Sequence, residues 1–349
     1  MLPDAATQER PPAASKGSQP ERPYWRETLA PYGVANPKRG VLDLMTSVVP
    51  YVALWAVMYA SLSVSYLLTL VLAIPTAGFL VRTYIVFHDC THGSFMPSKR
   101  ANEWIGRTLG LLVFQPFACW KHHHAVHHAT AGDLDRRGVG DLPLITVAEY
   151  NARSRRDQLA YRLFRHPAVM FGVGPIVALV IQPRIVPRSA RPRIQRGVRW
   201  TNLALLVMVA AMCWLVGWQA FLLVQLPVAL LSGAAGIWLF YVQHQFEDVY
   251  WERDEQWSYA ETALQGSSYL KLPKVLQFFS GNIGLHHVHH LSARIPNYNL
   301  QRAHDENPAL FDGVPTLSLA DGLRAVRLKL YDEDRRQMVT FAQARQAAA

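Results

Sequence analysis

Gly281-Asn282-Ile283-Gly284-Leu285-His286-His287-Val288-His289-His290 is the stretch around which this chain is organised. Its H-x-x-H-H core recurs in Trp120-Lys121-His122-His123-His124-Ala125-Val126-His127-His128, and an H-x-x-x-H pair stands earlier in His88-Asp89-Cys90-Thr91-His92. Twelve of the 14 histidines lie in these boxes or at His244. Positions i, i+3 and i+4 share one face of a helix. His124, His127 and His128 therefore aim at one point, as do His286, His289 and His290, while His88 and His92 add a pair. Imidazoles this dense indicate a metal centre rather than scattered solvated side chains. A site without carboxylate or thiolate donors suits Fe, Zn, Cu or Ni and argues against Mg or Ca.

The rest of the composition says where such a centre sits. Of 349 residues 50% are hydrophobic and 17% charged, but Leu44 through Val81 and Trp200 through Gln243 carry no charge at all. A bilayer core about 30 Å thick needs about 20 apolar helical residues, so each block holds two spans. The expected fold is an all-α integral membrane protein with four transmembrane helices in two hairpins, at about 44-64, 65-87, 200-217 and 219-242, and a cytoplasmic helical cap holding the histidines. The turns near Ser61 and Gly217 are uncharged, whereas residues 88–199 are rich in Arg and Lys. The positive-inside rule places that segment, the boxes and both termini in the cytoplasm.

Residues 1-40, rich in Pro, Ala, Arg and Ser, read as a disordered cytoplasmic tail; 41-310 form the membrane domain and 311-349 a cytoplasmic C-terminal helical region. There, Leu319, Leu323, Val326 and Leu330 recur at helical spacing, which predicts one docking helix over 317–339. Pro167 to Pro183 is apolar but interrupted by Gly172, Gly174 and Pro175, and reads as an interfacial or re-entrant helix. Arg82, near the end of the second span, is expected to snorkel to the interface. A net charge of +10 beside membrane spans points to anionic lipid or an acidic protein partner rather than nucleic acid. Cys90, Cys119 and Cys213 form no C-x-x-C pair, so no iron–sulfur cluster is expected.

The box order, with its flanks His88-Asp89-Cys90-Thr91-His92-Gly93-Ser94-Phe95, His127-His128-Ala129-Thr130-Ala131-Gly132-Asp133-Leu134-Asp135 and His289-His290-Leu291-Ser292-Ala293-Arg294-Ile295-Pro296-Asn297-Tyr298, resembles the integral-membrane fatty acid desaturases. The first box is most similar to acyl-lipid enzymes of the Δ12/ω-6 type and the later two to bacterial members. The resemblance implies two non-haem iron ions held by His88, His92, His124, His127, His128, His244, His286, His289 and His290. His122, His123 and His287 fall outside the spacing, and His166 and His304 stand alone. Asp89, Asp133, Asp135, Asp141, Glu247 and Asp248 are candidates to orient the ligand rings.

The reaction implied is O2-dependent insertion of a cis double bond into a long acyl chain, with two electrons from an external ferredoxin or cytochrome, in a bacterial inner membrane. A membrane hydroxylase or ketolase of alkanes, sterols or carotenoids shares similar boxes. A metal transporter would need ionisable residues near the bilayer midplane, and the uncharged blocks offer almost none. A soluble carboxylate-bridged diiron enzyme would need Glu-x-x-His pairs, which do not occur.

Overall fold

A computed structural model of the chain describes residues 24–186 and 188–346; the tail expected over 1–23 lies outside them. For residues 24–40 that expectation is corrected. Helix α1 (Tyr24–Leu29) and a 3-10 turn at Ala30–Gly33 lead into α2 (Pro37–Ser61), and Leu29 and Tyr32 are buried in the main core. Asn36 starts α2: its side chain accepts from the amides of Lys38 and Arg39, and Pro37 suits a first turn that needs no N–H donor.

Helix α3 (Tyr66–His92) folds back on α2. Ser61 Oγ and Thr69 Oγ1 lie 2.7 Å apart at the turn, and buried Ala73 and Ala77 let the two helices approach around Met58. Gly93, at φ 71, ends α3 one residue after His92, in the left-handed conformation a C-terminal cap requires. Helices α4 (Lys99–Leu112) and α5 (Phe117–Thr130) follow, then α6 (Val147–Ala152) and α7 (Arg155–Phe164). Helix α8 (Val169–Arg184) is bent by 57° from α7 and runs through π-helical turns. Last come α9 (Pro192–Val216) and α10 (Trp218–His244), hinged at Gly217.

Four helices, α2, α3, α9 and α10, are long and apolar enough to cross a membrane, as expected. At 1.5 Å per residue each reaches about 38 Å or more, enough for the hydrocarbon core. Val52, Val57, Leu67, Val71, Ile74, Leu206 and Trp214 project outward. In water they would form a large unsupported apolar patch; facing lipid they are matched, because the helices satisfy their own backbone groups. Helix α8 continues this belt with exposed Val173, Val177, Val180 and Ile181, and packs on α10 where Gly233 admits the Pro175 ring.

The cap is built from α11 (Tyr259–Leu264), β1 (Tyr269–Lys271), α12 (Lys274–Phe279), α13 (His286–Leu291), α14 (Asn297–Asp305), β2 (Thr316–Ser318) and α15 (Leu319–Ala325). It closes with β3 (Leu330–Asp332), β4 (Gln337–Val339) and α16 (Phe341–Gln346). One core joins Val81 and Ile85 of α3, Leu239 and Val242 of α10, Leu270 of β1, and Leu285, Val288 and Leu291 around α13. Phe311 and Ala325 belong to it as well, so packing does not break at residue 310.

The single helix expected over 317–339 is corrected: α15 covers only 319–325, and Leu330 and Val339 pair in an antiparallel hairpin. The Asp332 side chain accepts from the amides of Asp334 and Arg335, and Arg336 takes φ 53. This turn chemistry outcompetes the apolar spacing.

Lys329, just before β3, is 5% exposed, and its Nζ finds no acceptor. Burial first, and nearby Arg165 second, depress its pKa to about 7. The unfolded chain therefore holds one more proton between about pH 7 and the ordinary lysine range, so stability rises with pH across that window and is lowest below it. Lys329→Met is expected to raise the melting temperature at pH 7 and to flatten its rise toward pH 10, read by thermal-shift fluorescence in detergent.

Candidate metal centre

Four elements bring their last or first turns together. Helix α3 ends on His88 and His92, α5 presents His124, His127 and His128, α10 ends on His244, and α13 carries His286, His289 and His290. Two groups result: His88, His92, His124, His128 and His289, and His127, His244, His286 and His290, with the donor nitrogens of each group within 4.8 Å of one another. The eight box histidines singled out by spacing are thus brought together with His244, which the resemblance added. Box two divides between the groups, so neither group belongs to one stretch of sequence. Boxes two and three meet at one site, as an even number of crossings between them requires; α9 and α10 are long and apolar enough to supply two, while α7 and α8 form a pair bent by 57°.

The approach to box three is a backbone device. Gly281 (φ 53) and Asn282 (φ 59) are consecutive left-handed residues, and a Cβ on Gly284 would meet the Leu270 carbonyl oxygen at 2.5 Å. That carbon is missing, so β1 can lie against the turn, where the Leu270 amide donates to Gly284 O at 2.8 Å.

The ring orientations carry the chemistry. His127 Nδ1 donates to Asp141 at 2.5 Å, His88 Nδ1 to Asp89 at 3.0 Å, and His244 Nδ1 to the Gly266 carbonyl at 3.3 Å. Those donations leave each Nε2 as a bare lone pair. Yet His127 Nε2 and His244 Nε2 face each other at 3.1 Å. In the other group, His124 Nε2 lies 2.9 Å from His88 Nε2 and 3.1 Å from His128 Nε2. Lone pairs converging this closely repel unless a cation lies among them, so the donor set fits metal ions. His92 Nε2 and His290 Nε2 are also buried without a partner. Burial, reinforced by neighbouring histidines, holds His124, His128, His286, His289 and His290 well below the ordinary imidazole pKa, and only neutral rings can ligate.

Of the proposed orienting carboxylates, Asp89 and Asp141 are in place. Asp133 instead caps the turn at Asp135 and Arg136, Asp135 pairs with Arg253, and Glu247 and Asp248 are exposed. His122 and His123 face outward, His166 is exposed, and His287 is buried against His304, Nε2 to Nδ1 at 3.1 Å. Burial followed by the His304 neighbour lowers the His287 pKa to about 3.

Sequence reasoning missed three contributors. Trp120 stacks on His124 at 4.3 Å between ring centroids; its position four residues earlier on the same helix face was the available signal. Asn297 donates its amide and Nδ2 to Asp89 at 2.6 and 3.0 Å, and the same Nδ2 lies 2.9 Å from Asp43. Asp43 pairs in turn with Arg82. Arg82 is therefore buried and not snorkelling: its charge is met inside the protein, at the far end of a chain that reaches His88.

Among known proteins, the family described as fatty acid desaturase matches residues 61–316. A fatty acid desaturase of Bacillus subtilis is 48% identical over 90% of this chain and 89% of its own length. An sn-1 acyl-lipid omega-3 desaturase (ferredoxin) of Synechocystis is 28% identical over 63% of this chain and 62% of its own. An sn-1 oleoyl-lipid 12-desaturase of Anabaena variabilis is 25% identical over 66% and 65%.

Proposed function

Since this chain belongs to the fatty acid desaturase family, we propose that it inserts a cis double bond at the Δ12 (ω-6) position of a monoenoic acyl chain esterified in membrane lipid, consuming O2 and two external electrons. The observation that carries the metal-dependent part is the pair of facing lone pairs on His127 and His244, each ring pinned from behind. The nine histidines would hold two iron ions, five toward one and four toward the other. When bound, the irons would supply reductive activation of O2 and removal of one hydrogen from each of two neighbouring methylenes.

The protein's own part is positional. Asp89, Asp141 and the Gly266 carbonyl fix the ring planes, burial keeps the His124, His128, His286, His289 and His290 imidazoles neutral, and Trp120 shields His124. His88 and His244 lie at the ends of apolar helices, so an acyl chain can approach from the bilayer. The named activity of the Anabaena relative supports the Δ12 position, and the Synechocystis relative's name supports ferredoxin as reductant. The three cysteines are free and dispersed, consistent with electrons coming from outside.

Expression in a host without dienoic lipids tests this. Its aerated membranes should yield a cis-Δ12 dienoic chain by mass spectrometry, absent without O2 and absent in His289→Ala. A hydroxylated chain or an oxidised carotenoid would overturn the reaction. The setting is a bacterial inner membrane with both termini and the metal centre cytoplasmic. Reporter fusions at residues 63 and 218 should then read as external and those at 140 and 300 as internal; an external signal at either of the latter refutes that orientation.

A further inference from the structure

A cavity of about 480 Å³ opens beside the second histidine group, between the 137–145 loop, α6 and Trp251. Its wall includes Asp141, the residue whose carboxylate holds His127. Two donors in that wall have no acceptor among the described residues: Trp251 Nε1, on a side chain 6% exposed, and Arg137 Nη1. Glu149, the wall's other carboxylate, is already taken by Arg137 and by the capping box of α6. Arg153 lines the opening, is exposed and forms no ion pair among the described residues, and Arg155 and Arg156 follow it along the chain, exposed and likewise without an ion pair there. We propose that this cavity is the docking site of an acidic one-electron carrier protein, which places a carboxylate against Trp251 Nε1 and Arg137 and passes its electron toward the metal centre past Asp141 and His127.

This rests on the reaction assigned above, in which two electrons and two protons join O2 and the two hydrogens of a CH2–CH2 unit to give CH=CH and two waters. A carrier delivering one electron at a time must dock twice per double bond, so it must bind weakly and leave quickly. Unpaired arginines at and next to the opening suit that demand: complementary charge speeds encounter and is screened by salt, while little apolar area is buried. The interior meets the complementary need for proximity, because Asp141 in the cavity wall bonds directly to His127 of the second group.

The test uses the full chain in nanodiscs with a plant-type [2Fe–2S] ferredoxin as probe. Arg153→Glu and Ala152→Glu alter exposed positions at the C-terminal end of α6 that line the cavity. Each should weaken ferredoxin binding roughly tenfold at low salt, by biolayer interferometry, and remove most of its salt dependence. The ratio of ferredoxin-driven to viologen-driven desaturation should fall by a similar factor, because the small mediator needs no docking. Unchanged affinity in both variants overturns the proposal, as does an equal loss with both reductants, which would mean a structural role. Absence of any dienoic product from the wild type with viologen would instead overturn the assigned reaction, whatever the cavity binds.

Discussion

His244→Ala is expected to abolish double-bond formation and to lower bound iron while leaving the membrane-inserted protein intact. His244 Nε2 sits 3.1 Å from His127 Nε2 and 2.9 Å from His286 Nε2, so its removal opens the centre of the four-histidine group. Residues that merely orient a ligand cost about 10–100-fold when replaced, and losing a central ligand should exceed that range. Iron by mass spectrometry and a size-exclusion profile in detergent separate ligation from misfolding. His166→Ala, at an exposed residue whose ring caps the Ala168 amide, should retain both metal and activity. Equal losses in the two variants would show that stability and not ligation had been probed.

Arg82→Leu should produce the largest loss of stability from any single change outside the histidines. It leaves the Asp43 carboxylate, 5% exposed, with only Asn297 Nδ2 beside it, and breaking one side of a buried pair typically costs about 3–5 kcal/mol. Removing both charges is far milder by the same reasoning, so Asp43→Leu combined with Arg82→Leu should recover most of the melting temperature lost in Arg82→Leu alone. The double-mutant cycle is read by thermal shift; additive losses would show that the two side chains do not act as a pair. Because Asn297 bridges Asp43 to Asp89, Arg82→Leu should also lower activity more than its residual folded fraction explains.

What the sequence disclosed divides by range. Ligand spacing within α5 and α13, the two uncharged blocks, and the interruption near Gly174 are local patterns, and each predicts its element. The partition of box two, with His124 and His128 in one group and His127 in the other, depends on how α3, α10 and α13 cross α5, which no periodicity encodes. The bridge from Asp43 to Asn297 spans 254 positions. Arg82 was misread for the same reason: depth in a span is visible in a linear pattern, a partner on another helix is not. At the C-terminus the error was the reverse, since the apolar spacing around Leu330 was weighed above the Asp332 turn that ends in Arg336.

The five-histidine group draws on His88 near the first hairpin and His289 deep in the cap, and this separation sets the order of the protein's biogenesis. Roughly 200 residues lie between them, so at synthesis rates of about 5–20 residues per second the first ligands wait on the order of ten to forty seconds for the last. Neither histidine group can be completed on a nascent chain that has inserted only its first pair of helices. Metal held by either group would therefore be loaded late, after the cap has closed, and would fasten it.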